Sequence, residues 1–254
     1  MYFVGLDLAW GERKPTGIAV VDSDGRLVHI TAAQGDSAIL AELGPYVAGD
    51  CLVAIDAPLV VTNPTGQRAC ETDLNRDFAK FEAGAHPANT GKPEFAGTPR
   101  GARIATALGL DMDPQSRAAR RAIEVYPHPA TVVFFRLGRT LKYKHKQGRS
   151  LKQLRTELLR LMDEIEGLAQ ATVPLRVADH PEWIALRSGV EQAERKSELR
   201  RAEDPVDAVV CAYVAAYADR RPSDVTTYAD DTGAAIVTPT LPPRGAGPAA
   251  GPAT

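Results

Sequence analysis

Tyr2-Phe3-Val4-Gly5-Leu6-Asp7-Leu8-Ala9 is an apolar, β-prone run with one carboxylate set inside it. An ionised carboxylate buried in such a strand without a partner would cost many kcal/mol, so the fold must answer its charge. The pattern returns twice. Cys51-Leu52-Val53-Ala54-Ile55 reads as a short buried strand that ends in Asp56, with Pro58 stopping the pairing, and Ala122-Ile123-Glu124-Val125-Tyr126 carries Glu124 just ahead of Pro127. A further acid, Asp207, lies in Pro205 to Ala218, a helix apolar nearly all round and so read as buried, with Asp204 heading it. If these acids converge, either some are protonated or a cation sits between them. Oxygen-only donors, with no Cys or His at ligand spacing, point to Mg²⁺ or Mn²⁺ rather than zinc.

Each acid also has an ordinary reading. A lone strand acid is commonly a satisfied structural residue. Asp204 at an N-cap, Pro205 at N1 and Asp207 at N3 is what many helix starts prefer, and the helix dipole favours Asp207 there without any metal. Four acids on three strand ends and one helix start are harder to explain four separate ways.

Around these motifs the chain reads as an α/β fold. Gly17 to Asp22 is a second strand, and the turn signal Asp22-Ser23-Asp24-Gly25 leads into a third over 26–32. Ile39, Leu40, Leu43 and Val47 give helical spacing over 37–47, so the opening order is β-β-β-α-β. A polar helix-and-loop insert follows over about 62–118, with one charged helix over 67–82, a Gly- and Pro-rich loop over 84–101 and a short helix over 102–110. Residues 129–137 read as helical, and Ser150 to Gly167 gives the clearest amphipathic helix of the chain; 168–178 has no clear pattern, and 183–199 reads as one helix. Val225 to Ala229 and Ala235 to Thr238 suggest a hairpin. Residues 1–238 thus read as a single domain, and the Pro-, Gly- and Ala-rich 239–254 as a disordered tail.

Composition narrows the function classes. Thirty Lys and Arg against 32 Asp and Glu give a net charge of -2, which excludes a globally basic nucleic-acid coat. Three scattered cysteines suit a reducing compartment, and no apolar run is long enough to span a bilayer. Met1 leads straight into Tyr2-Phe3-Val4, so a cytoplasmic protein is expected. The charge is unevenly spread, however. Between Arg136 and Arg155 there are eight Lys or Arg and no acid, with Tyr143 and His145 interleaved. Such a segment could neutralise phosphates through Lys142, Lys144 and Lys146 and stack a base on Tyr143, with Arg68 and Arg100 extending the surface; a solvated helix face and loop is the plain alternative. His128 reads as a proton shuttle or a packing residue. No Walker-type loop, no Gly-x-Gly-x-x-Gly and no Gly-x-Ser-x-Gly occurs.

Five motifs together carry a resemblance: Gly5-Leu6-Asp7-Leu8-Ala9-Trp10 with Thr16-Gly17-Ile18-Ala19, Ala54-Ile55-Asp56-Ala57-Pro58, Arg68-Ala69-Cys70-Glu71, Glu124-Val125-Tyr126-Pro127, and Asp204-Pro205-Val206-Asp207-Ala208. In this order, across most of residues 1 to 220, the chain resembles the bacterial and archaeal family of predicted RNase H-like nucleases. The resemblance implies a ribonuclease H-like fold, a mixed five-stranded sheet whose first three strands are antiparallel, flanked by helices. It also implies two Mg²⁺ or Mn²⁺ ions, with Asp7 bridging them, Asp56 on one, and Asp207 with Asp204 on the other. Asp56 stands where many members of that fold carry Glu, a reach shorter by about 1.5 Å.

The leading expectation is therefore a metal-dependent nuclease cleaving DNA or RNA with Asp7, Asp56, Glu124 and Asp207 as catalytic residues. Two other readings stand beside it. One is an ATP-binding phosphotransfer protein of the related actin and sugar-kinase fold, which would need a duplicated domain with Gly-rich phosphate turns. The other is a non-catalytic nucleic-acid-binding module.

Overall fold

Residues 1–242 are described by the computed structural model. The tail expected from Pro239 onward falls mostly outside them. β1 (Tyr2–Asp7), β2 (Thr16–Asp22) and β3 (Leu27–Ala33) form the antiparallel meander. Its second turn closes as the sequence predicts: Asp22 Oδ1 accepts the Asp24 and Arg26 amides at 2.8 and 2.9 Å, and Gly25 takes φ 77°, a left-handed value that glycine adopts without strain. After α1 (Asp36–Val47), β4 (Cys51–Ile55) pairs parallel to β1, and β5 (Arg120–Glu124) pairs parallel to β4. The sheet order is β3-β2-β1-β4-β5. Its inner strands β1 and β4 are covered on both faces, which is why they read as near-continuous apolar runs.

Two apolar layers flank the sheet. Val4, Leu6, Val53 and Ile55 pack with Ile39 and Leu43 of α1 and Ile104 of α3 (Arg100–Ala107). On the other face Phe3, Leu52, Ala54 and Ile123 pack under α2 (Ala69–Phe78), α4 (Pro127–Phe134), α5 (Leu151–Gly167), α6 (Pro181–Glu191) and the 25-residue α7 (Lys196–Arg220). A hairpin of β6 (Val225–Ala229) and β7 (Ala235–Pro239) joins this layer through Ile236 and Val237. No helix among the described residues is long and apolar enough to cross a membrane.

The helix boundaries differ from expectation in instructive ways. The charged helix expected over 67–82 is α2 followed by a 3₁₀ turn, Ala79–Phe81, and the helix read over 183–199 is two helices. Glu198 explains the second break. Its carboxylate accepts the Glu194 and Arg195 amides at 2.8 and 3.1 Å, so it caps a new helix start there. The helix expected to begin at Asp204-Pro205 therefore begins at Lys196, and Asp204 is no N-cap. Pro205 lies inside α7, where it cannot donate to the Arg201 carbonyl one turn back.

Candidate active site

Strand parity places the first acids. Asp7 follows Phe3 and Gly5 on the face beneath α7, and Asp56 follows Leu52 and Ala54 on the same face, its amide continuing the ladder to the Leu6 carbonyl at 2.8 Å. Gly5 and Gly17 then let α7 descend onto the sheet. A Cβ at Gly5 would stand 2.0 Å from the Ala208 carbonyl oxygen, and one at Gly17 1.9 Å from that of Asp204. Gly17 is also the register partner of Asp7. The two glycines thus deliver Asp204 and Asp207 beside Asp7, backbone against backbone.

The acids meet a lysine. Lys144 Nζ lies 2.6 Å from Asp207 Oδ2 and 3.5 Å from Asp7 Oδ2. Asp207 is fully buried, and its Oδ1 accepts the Tyr143 hydroxyl at 2.5 Å. The Lys144 contacts are ion pairs rather than aligned hydrogen bonds: Asp7 Oδ2 and Asp207 Oδ2 both lack a hydrogen-bond partner, as does Glu203 Oε1 nearby. Asp7 is raised well above the usual carboxylate range by burial, with Lys144 opposing and Asp207, Asp56 and Asp204 adding to the rise. Burial likewise lifts Asp56 to about 7 and Glu203 to about 7, each against Lys144 and reinforced by Asp207. Asp204, half-buried, is lifted to about 6 for the same reasons. Lys144 itself is held above its ordinary value: burial disfavours its charge, and Asp207 and Asp7 more than compensate.

A cavity of about 430 Å³ opens on this cluster, lined among others by Asp7, Asp56, Lys14, His86, His128 and Lys144. His128, with Nδ1 3.2 Å from the Thr140 hydroxyl, is lowered to about 4 by burial and by Lys144, so it is neutral at physiological pH. His86 and Lys14 were not singled out by the sequence reading. Both sit in irregular segments where periodicity carries no information.

Glu124 is held differently. Arg68 grips it in a fork, Nη1 to Oε2 at 2.9 Å and Nη2 to Oε1 at 2.5 Å, and the Leu59 amide adds a donor at 2.9 Å. Glu71 takes Arg68 Nε at 2.9 Å and the Arg68 and Ala88 amides. Glu124 has the parity of Ala122, which packs in the layer opposite α7. It borders the cavity while its oxygens are committed to fixed donors, so the structure sets it apart from Asp7, Asp56 and Asp207.

The expected phosphate-binding surface is also redistributed. Arg68 is 4% exposed and committed to Glu71 and Glu124. Arg100, 3% exposed, pairs with Asp36 at 2.7 Å and donates to the carbonyls of Ala9 and Gly11, tying down the loop after β1. Tyr143 is buried with its hydroxyl on Asp207 and presents no ring for a base. Lys142 pairs with Glu82, and Lys144, its side chain 34% exposed, has its ammonium on Asp207 and Asp7; Lys146 is exposed. The acid-free run over 136–155 meets acids supplied by other segments. A second cleft of about 910 Å³ carries charges of both signs, Arg13, Lys14 and Arg103 beside Glu12 and Glu94 with Arg103 paired to Glu12 at 2.9 Å, and it shares Ala9, Trp10 and Lys14 with the acidic cavity.

The donor set suits a hard divalent cation, with buried carboxylate oxygens, two of them without hydrogen-bond partners, and no sulfur. Among the described residues, however, no three carboxylate, imidazole or thiol groups form a ready-made metal cage. The Lys144 ammonium stands among the acids.

A family model described as "Protein of unknown function (DUF429)" matches residues 5–232. The chain belongs to DUF429. The matched part of this DUF429 chain holds Asp7, Asp56, Glu124, Lys144, Asp204 and Asp207. No curated protein and no solved structure matches it.

Proposed function

We propose that this DUF429 chain is a divalent-cation-dependent hydrolase of phosphodiester bonds in DNA or RNA, built on a ribonuclease H-like fold. The reading is supported by the strand order β3-β2-β1-β4-β5 with an antiparallel first meander, and by acids at the end of β1, just past β4 and on the last long helix. One observation carries it: Asp7 and Asp56 line one cavity with Asp207 buried behind them and close enough to raise both, and Asp7 Oδ2 and Asp207 Oδ2 are left without hydrogen-bond partners.

Asp7, Asp56 and Asp207, with Asp204 beside them, are the groups that would hold Mg²⁺ or Mn²⁺. When bound, such an ion supplies Lewis-acid stabilisation of charge developing on a phosphoryl oxygen. The chain's own residues do the rest. Arg13 and Lys14 attract the polyanion toward the cavity, and Trp10 offers a half-buried ring at the junction of cleft and cavity. His86, lining the cavity, is placed to move a proton to or from a reacting oxygen. Arg68, Glu71 and Glu124 keep the cavity wall rigid.

Incubating the purified chain with single-stranded, duplex and branched DNA and RNA in Mg²⁺ and in Mn²⁺ tests the reading. Cleavage should fall at least about a hundredfold in Asp7→Asn, the scale of removing one charged group from a preorganised site. No cleavage above the Asp7→Asn level in any substrate would overturn it.

A further inference from the structure

Asp7 and Asp56 line the cavity, whereas Asp207 does not. Asp207 is wholly buried, one oxygen taken by the Tyr143 hydroxyl and the other facing Lys144 Nζ at 2.6 Å. Asp207, the buried acid that a second ion would use, is thus met by an ammonium the chain itself provides.

That ammonium does not ride on a loose surface loop. Tyr143, its neighbour, is anchored in the core, Arg149 Nη1 donates to the Lys144 carbonyl at 2.7 Å, and the Lys142 amide donates to Glu157 at 3.0 Å. The Thr140 amide reaches the Phe81 carbonyl at 2.8 Å. Lysine carries a compact charge with no directional fork, which suits a position defined by charge rather than by aligned hydrogen bonds. Both Oδ2 atoms facing it lack a hydrogen-bond partner, as expected where a point cation serves as counter-ion.

We infer that the site takes one divalent ion, at the Asp7 and Asp56 side, and that Lys144 stands as a tethered second cation between Asp7 and Asp207. The inference rests on the hydrolase reading above and replaces the two-ion expectation. Lys144 then acts as a positioning residue, fixing Asp7 and Asp207 without an ion-binding equilibrium of its own.

Counting bound Mn²⁺ on the full chain at pH 8, by titration calorimetry and by electron paramagnetic resonance of the free ion, tests it. The wild type should bind one ion per chain, Asp56→Asn should weaken that ion at least tenfold, and Lys144→Met should admit a second. Lys144→Arg, which keeps the charge, should stay at one. Two ions on the wild type would overturn the inference and leave the hydrolase reading standing; so would Lys144→Met holding one ion at unchanged affinity. No bound Mn²⁺ on the wild type would overturn both. Should Lys144→Met fail to fold, the wild-type and Lys144→Arg counts still decide.

Discussion

Two buried carboxylate groups lie at the ends of neighbouring strands, and they are satisfied in opposite ways. Beside β5, Glu124 and Glu71 share one arginine, and all four of their oxygens accept from fixed donors. Beside β1 and β4, Asp7, Asp56, Asp204 and Asp207 share one ammonium, and two oxygens facing it accept nothing. The first is a closed network of the kind that holds a fold together. The second is short of positive charge, and burial with mutual repulsion drives Asp7, Asp56 and Asp204 toward protonation. The sequence pattern of an acid on an apolar strand is the same in both; what separates them is whether donors come with the acid.

The sharpest way to break this contrast is to remove the cation from the closed network and one carboxylate from the open one. Arg68→Met strands two buried carboxylates, so it should cost about 3–5 kcal/mol of unfolding free energy, read from urea denaturation. Asp7→Asn removes one of several crowded like charges and should raise the metal-free melting temperature while abolishing cleavage. A fall in stability for Asp7→Asn would mean that Lys144 already balances the cluster.

A smaller effect follows from pH. Asp56 and Glu203, at about 7, and Asp204, at about 6, lie above the carboxylate range of an unfolded chain, near 4. Between about pH 4 and pH 7 the native state therefore keeps protons on these three acids that the unfolded state has released, and their contribution to metal-free stability declines as pH rises through that window; His128, lowered to about 4, works in the opposite direction up to its unfolded value near 6.5. Asp56→Asn should flatten the decline. Urea melts at pH 5, 6, 7 and 8 measure it, and a slope unchanged in Asp56→Asn would remove that residue from the cluster.

The smallest concerns the packing that gathers the cluster. Gly17→Ala puts a methyl 1.9 Å from the Asp204 carbonyl oxygen. Relief by a shift of α7 should cost about 1–3 kcal/mol and lower the melting temperature, with Mn²⁺ affinity falling alongside. Unaltered affinity would mean that the acids do not depend on this approach.

Much of this was legible in the chain. Short apolar, β-prone runs located β1, β2 and β4, and the apolar wrap of Pro205 to Ala218 marked a helix buried over the sheet. Asp7, Asp56 and Asp207 could be grouped because each is a charge in a setting that rejects charge. The role of Glu124 was not legible, because its partner Arg68 lies 56 residues away and a fork of two hydrogen bonds leaves no periodic trace. The basic run over 136–155 misled for a related reason: its sign was plain, but Glu82, Asp7 and Asp207, which answer it, come from three distant segments. The start of α7 was misplaced because Asp204-Pro205 has the chemistry of a helix start, while Glu198 caps the real one nine residues earlier.

The close seat of α7 on β1 and β2 bears on how the chain is born. The strand bearing Asp7 is synthesised well before the helix that covers Gly5 and Gly17. Until that helix arrives, Asp7 has neither Asp207 nor the buried wall around it, so a nascent chain holds no assembled acid pocket. A chain halted before α7 therefore lacks the very arrangement on which the proposed hydrolase reading rests.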